Sequence, residues 1–241
     1  MKLEQILFSQ GFGSRKLCRQ LIAGGAVAVD GRVITDDSSD WDVSAPSPDG
    51  LAFGFSVEGV RWQYHAKAYL MLHKPAGYEC SQKPKSHPSV YSLLPAPLRA
   101  RDVQAVGRLD QDTTGLLLFS DDGQYIHRMT SPKHEVPKVY EVSTSEEISA
   151  EQVTRLMAGV VLDDSPEPVQ AVACECVAPR ALRLTLKSGK YHQVKRMLAA
   201  VGNHVERLHR SRIGQLSLPP DLAPGQWRWL TDGEFVLAKT V

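Results

Sequence analysis

The sequence predicts an α+β protein in two parts: a small helix-and-hairpin module, then a larger domain built on a mostly antiparallel sheet. Three observations carry this. The first 35 or so residues read helix, turn, basic helix, hairpin, which is too short a run to bury a large core. Farther on, alternating segments such as Lys138–Ser143 and Ala181–Leu186 outnumber the helical ones. Between them, Leu116 to Phe119 is an unbroken apolar run of the kind that makes a strand buried on both faces. A chain of 241 residues accommodates one large domain with a small appendage, and no internal repeat is visible.

In chain order, Leu3, Ile6 and Leu7 share one face of a helix over residues 3–10, which ends at Gly11-Phe12-Gly13. Ser14 is a good N-cap for a second helix that turns Leu17, Leu21 and Ile22 inward and Arg15, Lys16 and Arg19 outward. Cations near a helix N-terminus oppose the macrodipole, which points to a partner for them; a solvated face is the alternative. Gly24-Gly25 stops this helix, and Ala26 to Ile34 reads as a hairpin turning at Asp30-Gly31. From Thr35 to about Ala66 the chain is acidic (Asp36, Asp37, Asp40, Asp42, Asp49) and carries Pro46, Pro48, Gly50, Gly54 and Gly59. That composition suggests the end of the module and a linker.

The larger domain opens with a strand, Ala68–Leu72, running into His73-Lys74-Pro75-Ala76-Gly77. Pro88–Leu94 suits a short helix, and a further helix runs through Tyr125, Ile126 and Met129. Ser149 and Gln152 form a capping box for a helix reaching Met157 and ended by Gly159. Val169–Val177 and Ala181–Leu186 alternate as strands. Ser188-Gly189 then leads into a helix over 190–201 with Val194, Met197, Leu198 and Val201 facing the core. A strand over Val205–Ile213 and a helix capped by Thr231, with Glu234 at its third position, complete the chain.

Net charge is only +1, yet residues 180–212 hold nine Lys/Arg against one acid, while 141–175 hold eight acids against one base. Such segregation makes a basic face within a neutral whole, or a solvated surface. No apolar run approaches the roughly 20 residues of a membrane span, and Met-Lys-Leu-Glu-Gln-Ile lacks the apolar stretch of a signal peptide, so a cytoplasmic protein away from membranes is expected. Of the four cysteines, Cys174 and Cys176 are spaced i, i+2, and two thiols do not close a zinc site. Reduced thiols, buried or half-buried, and no metal are expected.

Chemistry concentrates in Val106-Gly107-Arg108-Leu109-Asp110-Gln111-Asp112-Thr113-Thr114-Gly115, a polar span between an extended segment and the apolar strand. A loop so anchored can hold a reactive carboxylate rigidly; it also fits a polar turn in which Asp110 caps backbone N–H groups. His192, Lys195 and Arg196, spaced i, i+3, i+4, occupy the polar side of the 190–201 helix, and a cation there can keep a partly buried carboxylate ionised. Tyr140 lies on a strand, either as core or as an aromatic face beside the site.

Two resemblances follow from these residues. Leu3-x-x-Ile6-Leu7, Gly13-Ser14-Arg15 and Leu21-Ile22-x-x-Gly25-x-Val27-x-Val29-Asp30-Gly31 resemble the α-L RNA-binding motif of S-four-like domains, with Lys2-Leu3-Glu4 as a conservative departure at its start. Gly107 to Leu118 resembles the catalytic motif of pseudouridine synthases of the RsuA/RluA branch. Lys138-Val139-Tyr140 resembles the second motif of that family, Gly189 to Met197 its third and Lys74-Pro75-Ala76-Gly77 its opening, all in the family's order. Agreement over Ile126 to Pro132 points to the members that act on small-subunit rRNA; His73 stands where asparagine is expected.

The resemblance implies an RNA-binding module with linker over residues 1–62 and a pseudouridine synthase domain over 63–241. It implies that Asp110 is the essential carboxylate, that Tyr140 stacks on the target uracil, that Lys195 pairs with Asp110 and that Arg108 contacts the phosphate of the extruded nucleotide. Lys195 stands where relatives often have arginine; it keeps the charge and loses the fork geometry. Arg15, Lys16 and Arg19 would hold neighbouring rRNA, and His192 and Arg196 the RNA backbone. The implied reaction turns a uridine of 16S rRNA, free or in a ribosomal-subunit assembly intermediate, into pseudouridine, by a monomer with no cofactor. A 23S rRNA target is the alternative within the family. Outside it stand a glycoside or nucleoside hydrolase using Asp110 and Asp112 and a non-catalytic rRNA-binding assembly factor; neither explains three ordered motifs.

Overall fold

The structure, a computed structural model, describes residues 1–45, 52–163 and 165–240. It forms two compact units, residues 1–68 with 94–103, and residues 69–93 with 104–241. Pro46, Pro48, Asp49 and Gly50 of the expected linker lie outside the described residues.

In the first unit, helices α1 (Leu3–Ser9) and α2 (Arg15–Ala23) pack on a four-stranded sheet of order β2-β1-β3-β4, made of β1 (Val27–Val29), β2 (Arg32–Ile34), β3 (Gly54–Val57) and β4 (Val60–Gln63). Asp30 and Gly31, at φ 48° and 76°, supply the two left-handed residues that a tight hairpin turn requires. Glu58 and Gly59 repeat the device at φ 50° and 79°. This second hairpin corrects the linker expected over residues 35–66. Its acidic, Pro- and Gly-rich surroundings masked the alternation of Phe53, Phe55 and Val57, which are buried against Leu3, Ile6, Leu7 and Ile22. A second correction concerns α2. Cys18 is fully buried beside Ile22, whereas Leu17 is 44% exposed, because one residue turns a helical side chain by about 100°. Helix α3 (Ala96–Ala100) also belongs to this unit; a Cβ on Gly11, at φ 87°, would meet the Pro97 carbonyl oxygen at 2.0 Å, so only glycine fits there.

The second unit carries a nine-stranded sheet. Its strands are β5 (Tyr69–Lys74), β6 (Gln104–Ala105), β7 (Thr114–Ser120), β8 (Lys138–Thr144), and, beyond the separate pair β9 (Val160–Leu162) and β10 (Ser165–Val169), β11 (Ala173–Ala178), β12 (Ala181–Leu186), β13 (Val205–Ile213), β14 (Leu216–Ser217) and β15 (Trp227–Trp229). The order is β11-β12-β8-β13-β7-β5-β15, with β14 on β13 and β6 on β7; β7 and β13 run parallel and the other pairs antiparallel. Helices α4 (Gly123–Thr130), α5 (Ala150–Ala158), α6 (Gln193–Ala200) and α7 (Asp232–Lys239) complete it. Leu116 to Phe119 on β7 are all 0% exposed, as the apolar run predicts, and each such side chain contributes about 2 kcal/mol relative to exposure.

The caps predicted at Ser149 and Thr231 form, each side chain accepting from the backbone N–H three residues on. Elsewhere the sequence reading needs correction. Val169–Val177 is not one strand: Val169 pairs with Val160, and the chain then changes partner as the Ala171 N–H donates to Leu156 and the Val172 N–H to Thr185. Pro88–Leu94 supplies a single 3-10 turn, Val90–Leu93. Helix α6 begins at Gln193, not at residue 190. Cys18 and Cys80 are buried and Cys174 is half-buried, but Cys176 is exposed, since β11 is the sheet's outer strand. Among the described residues no helix is long and apolar enough to cross a membrane.

The outer strand at the other end of the sheet, β15, pairs with β5 and is tied to α7. Arg228 donates to Glu234 at 2.6 and 2.8 Å, and Glu234 also accepts from the Thr231 N–H at 3.0 Å. The Arg228 hydrogen bond, working against burial, draws the Glu234 carboxyl from its ordinary 4.5 down to about 2. A depressed folded-state pKa means that this contribution is complete above the ordinary value and disappears as pH falls toward 2. We expect Glu234→Gln to lower stability by about 1 kcal/mol at neutral pH. The deficit should shrink between pH 4.5 and 2, read from urea midpoints; coincident midpoints at pH 7 would contradict it.

Candidate active site

The loop between β6 and β7 is built around a lysine. Lys74, at the end of β5, is 0% exposed, and its ammonium donates to the carbonyl oxygens of Pro75 (3.1 Å), Asp110 (3.0 Å), Gln111 (3.2 Å) and Thr113 (2.8 Å). Burial lowers its pKa, and the fields of Cys80, Asp112 and Asp110 work the other way. The Gly77 N–H donates to Gln111 at 2.7 Å and the Leu109 N–H to Cys80 Sγ at 3.4 Å, so the segment after β5 grips the loop at several points. At the far end Gly115 lets β13 approach: a Cβ there would lie 2.3 Å from the Arg210 carbonyl oxygen.

This frame presents two carboxylates to α6. Lys195 Nζ donates to both oxygens of Asp112, at 2.7 and 2.8 Å, and lies 3.5 Å from Asp110 Oδ2. His192 Nε2 lies 3.4 Å from Asp110 Oδ1, a contact that becomes an ion pair when the ring is protonated. Lys195 therefore reaches Asp110, as the motif implies, but bonds more closely to Asp112, whose place in the turn was not foreseen as the lysine's main partner. Burial raises the Asp112 pKa, and the Lys195 hydrogen bond and charge outweigh it, leaving the carboxyl below its ordinary value. Asp110 and Asp112 share one cation and one side of the loop, so they do not flank a bond from opposite sides as a hydrolase pair does.

Asp110 opens into a pocket also lined by Arg108, Thr113, Tyr140, Lys190 and His192. Tyr140 is 8% exposed on β8, where it belongs both to the sheet's interior and to the pocket wall. Arg108 is exposed at the same pocket. Thr113, 1% exposed, keeps its hydroxyl without a partner among the described residues. Lys74 and Thr113 escaped sequence reasoning; the one available signal was a lysine before Pro-x-Gly at the end of an apolar strand. His73, the departure from the motif, donates from Nδ1 to the Leu222 carbonyl at 2.8 Å, and its ring meets His209 edge-on at 5.6 Å.

Several of the remaining cations have internal partners. His192 is not on the helix but caps it in the left-handed conformation, at φ 47°. Arg196 donates to the Tyr191 carbonyl at 3.2 Å. Arg183 pairs with Glu141 and Glu175, Lys187 with Glu135, and Arg210 is 2% exposed, so the basic stretch over 180–212 is less of a free face than its composition suggests. In the first unit Arg15 and Arg19 both reach the buried Glu4 on α1, at 3.1 and 2.9 Å. The partner expected for these cations is thus partly internal. Both stay more than half exposed, and Lys16 is exposed beside them. Among the described residues no group of three or more His, Cys, Asp and Glu side chains is placed to hold a metal ion.

Comparison with known proteins gives the family. Residues 68–200 match the RNA pseudouridylate synthase family and residues 1–40 the S4 domain. The chain is 40% identical to the ribosomal small subunit pseudouridine synthase A of Escherichia coli K12, over 97% of this chain and 98% of that one. It is 38% identical to the protein of the same name from Vibrio cholerae, over 97% of each. A crystal structure of a pseudouridylate synthase superimposes with a TM-score of 0.68 at 32% identity, covering 99% of both chains. The chain is a member of the RNA pseudouridylate synthase family, an enzyme of that family's fold with an S4 domain ahead of it.

Proposed function

We propose that this enzyme converts one uridine of 16S small-subunit rRNA to pseudouridine, with Asp110 as the essential carboxylate. The observation that carries the reading is the carboxylate itself. Asp110 is held by its backbone, faces Lys195 and His192 at 3.5 and 3.4 Å, and opens into a pocket that Tyr140 and Arg108 share. The small-subunit target is supported by 40% identity to relatives named for it. The substrate is rRNA or a ribosomal-subunit assembly intermediate, and the enzyme acts as a cytoplasmic monomer. Residues 1–62, with Arg15, Lys16 and Arg19, grip the RNA; residues 63–241 carry out the chemistry.

The reaction breaks C1′–N1, turns the uracil and joins C5 to C1′; C5 then gives up a proton and N1 takes one. No atom is added, and the reduction at C1′ is matched by the oxidation at C5, so the isomerisation is redox-neutral and calls for no cofactor. The target must leave its stack, at a cost of a few kcal/mol that stacking on Tyr140 and a phosphate contact to Arg108 offset. Asp110 acts as the anion, whether on C1′ or on the 2′-hydrogen, with Lys195 and His192 beside it. Closure of the pocket around the base excludes water and retains the detached uracil while it turns.

Mapping pseudouridines in rRNA from cells with and without the gene tests the target; loss of one 16S site is expected, and loss of a 23S site would redirect the proposal. Asp110→Asn should reduce isomerisation on the order of 10³-fold or more while rRNA affinity stays within about threefold. Undiminished turnover, or release of free uracil by the parent, would defeat the assignment. Tyr140→Phe should keep most activity and Tyr140→Leu lose about tenfold, because the ring supplies the stacking; equal losses would remove that role. Lys74→Met leaves three loop carbonyls, and that of Pro75, without their donor. It should lower kcat about 100-fold with a far smaller effect on rRNA binding, and an unchanged kcat would show that the loop holds without it.

A further inference from the structure

Tyr191 is 72% exposed, the most exposed of the large hydrophobic side chains among the described residues, and it stands in the chain between Lys190 and His192, both of which line the pocket. One face of its ring is covered: it stacks on His192 with centroids 3.8 Å apart and planes 19° from parallel. The opposite face meets no other ring among the described residues. His192 in turn reaches Asp110 at 3.4 Å, so the two rings form a short column that begins at the catalytic carboxylate and ends in solvent.

The column is held in place. The Tyr191 carbonyl accepts from Arg196 at 3.2 Å, and the Lys190 N–H donates to Gln193 Oε1 at 2.8 Å, with Gln193 itself 4% exposed. His192 occupies the left-handed region at φ 47°, a conformation that costs a non-glycine residue energy and persists only under such constraint. Ordering a large aromatic side chain and then leaving it in water gains nothing by itself. It gains if something flat completes the stack. Resting on the uridine isomerisation proposed above, we infer that Tyr191 is the platform for a nucleobase adjacent to the flipped-out uridine. Extruding one base strips its neighbours of a stacking partner, and an exposed ring stacked on the pocket-lining His192 restores one to the nearer neighbour. Any base offers a π-face, so the platform accepts a neighbour of any identity, while Lys190 and Arg108 on the same rim face the backbone charge.

The test couples the ring to the base. An rRNA fragment carrying the mapped uridine is prepared intact, with an abasic 5′ neighbour and with an abasic 3′ neighbour, and Kd and single-turnover rate are measured for the parent, Tyr191→Phe and Tyr191→Leu. On intact RNA Tyr191→Phe should stay within about threefold of the parent and Tyr191→Leu fall about tenfold or more, the loss expected for one stacked base. On one of the two abasic RNAs the gap between Phe and Leu should vanish. A gap that persists on both abasic RNAs assigns Tyr191 to shaping its own loop and overturns the inference; so does the absence of any gap on intact RNA. Because the coupling is read in Kd as well as in rate, failure of the parent to isomerise the uridine is distinguished from failure of the platform.

Discussion

The site depends on one buried ammonium. Among the described residues Lys74 has no carboxylate in contact; it takes its partners from the backbone of the loop it supports, Asp110, Gln111 and Thr113, and from Pro75. Taking an ammonium out of water costs several kcal/mol, and hydrogen bonds to a charged donor return about 1.5 to 3 kcal/mol each. The arrangement is better understood as geometry than as stability. Three loop carbonyls converge on a single point, which fixes the turn from which the Asp110 side chain departs. An apolar side chain at position 74 would satisfy packing but leave those carbonyls without a donor.

The second cation divides its attention unequally, and the inequality has a use. Lys195 bonds to both oxygens of Asp112 below 3 Å and stands farther from Asp110, at 3.5 Å. A carboxylate tied tightly to an ammonium is ionised but blunted, because its lone pairs are engaged. Asp112 takes that role. Asp110 stands farther from that ammonium, and its side chain stays 29% exposed toward the pocket. A lysine suits this division better than a bidentate guanidinium, whose fork would close on one carboxylate face.

Much of this was legible in the sequence, for identifiable reasons. Leu116 to Phe119 announced the central strand because only two-sided burial tolerates four apolar residues in succession. Thr231, Ser149 and Ser14 marked helix starts because their hydroxyls satisfy backbone N–H groups locally. What escaped depended on distant parts of the chain. The β3–β4 hairpin was hidden by acidic and Pro-rich flanks, although it pairs with β1 across some 25 residues. Glu4 could not be recognised as the acid for Arg15 and Arg19 until α1 and α2 were packed. Asp110 and Lys195 stood out by motif, yet the closer Asp112–Lys195 bond and the Lys74 cage are tertiary, and no spacing rule encodes them.

The strained residue draws these features together. A histidine at φ 47° at the start of α6 departs from the i, i+3, i+4 face that helical periodicity assigns to His192, Lys195 and Arg196. Turned into the left-handed region, it aims Nε2 at Asp110 and carries Tyr191 outward, while Gln193 and Arg196 fasten the backbone on either side. Strain of this kind costs about 1 to 3 kcal/mol and survives only where surrounding bonds over-determine it. In this enzyme those bonds come from α6 itself, whose apolar side, Val194, Met197 and Leu198, is buried in the core. The helix supplies the cation, the two residues leading into it supply the histidine and the exposed ring, and its packing sets all three relative to Asp110.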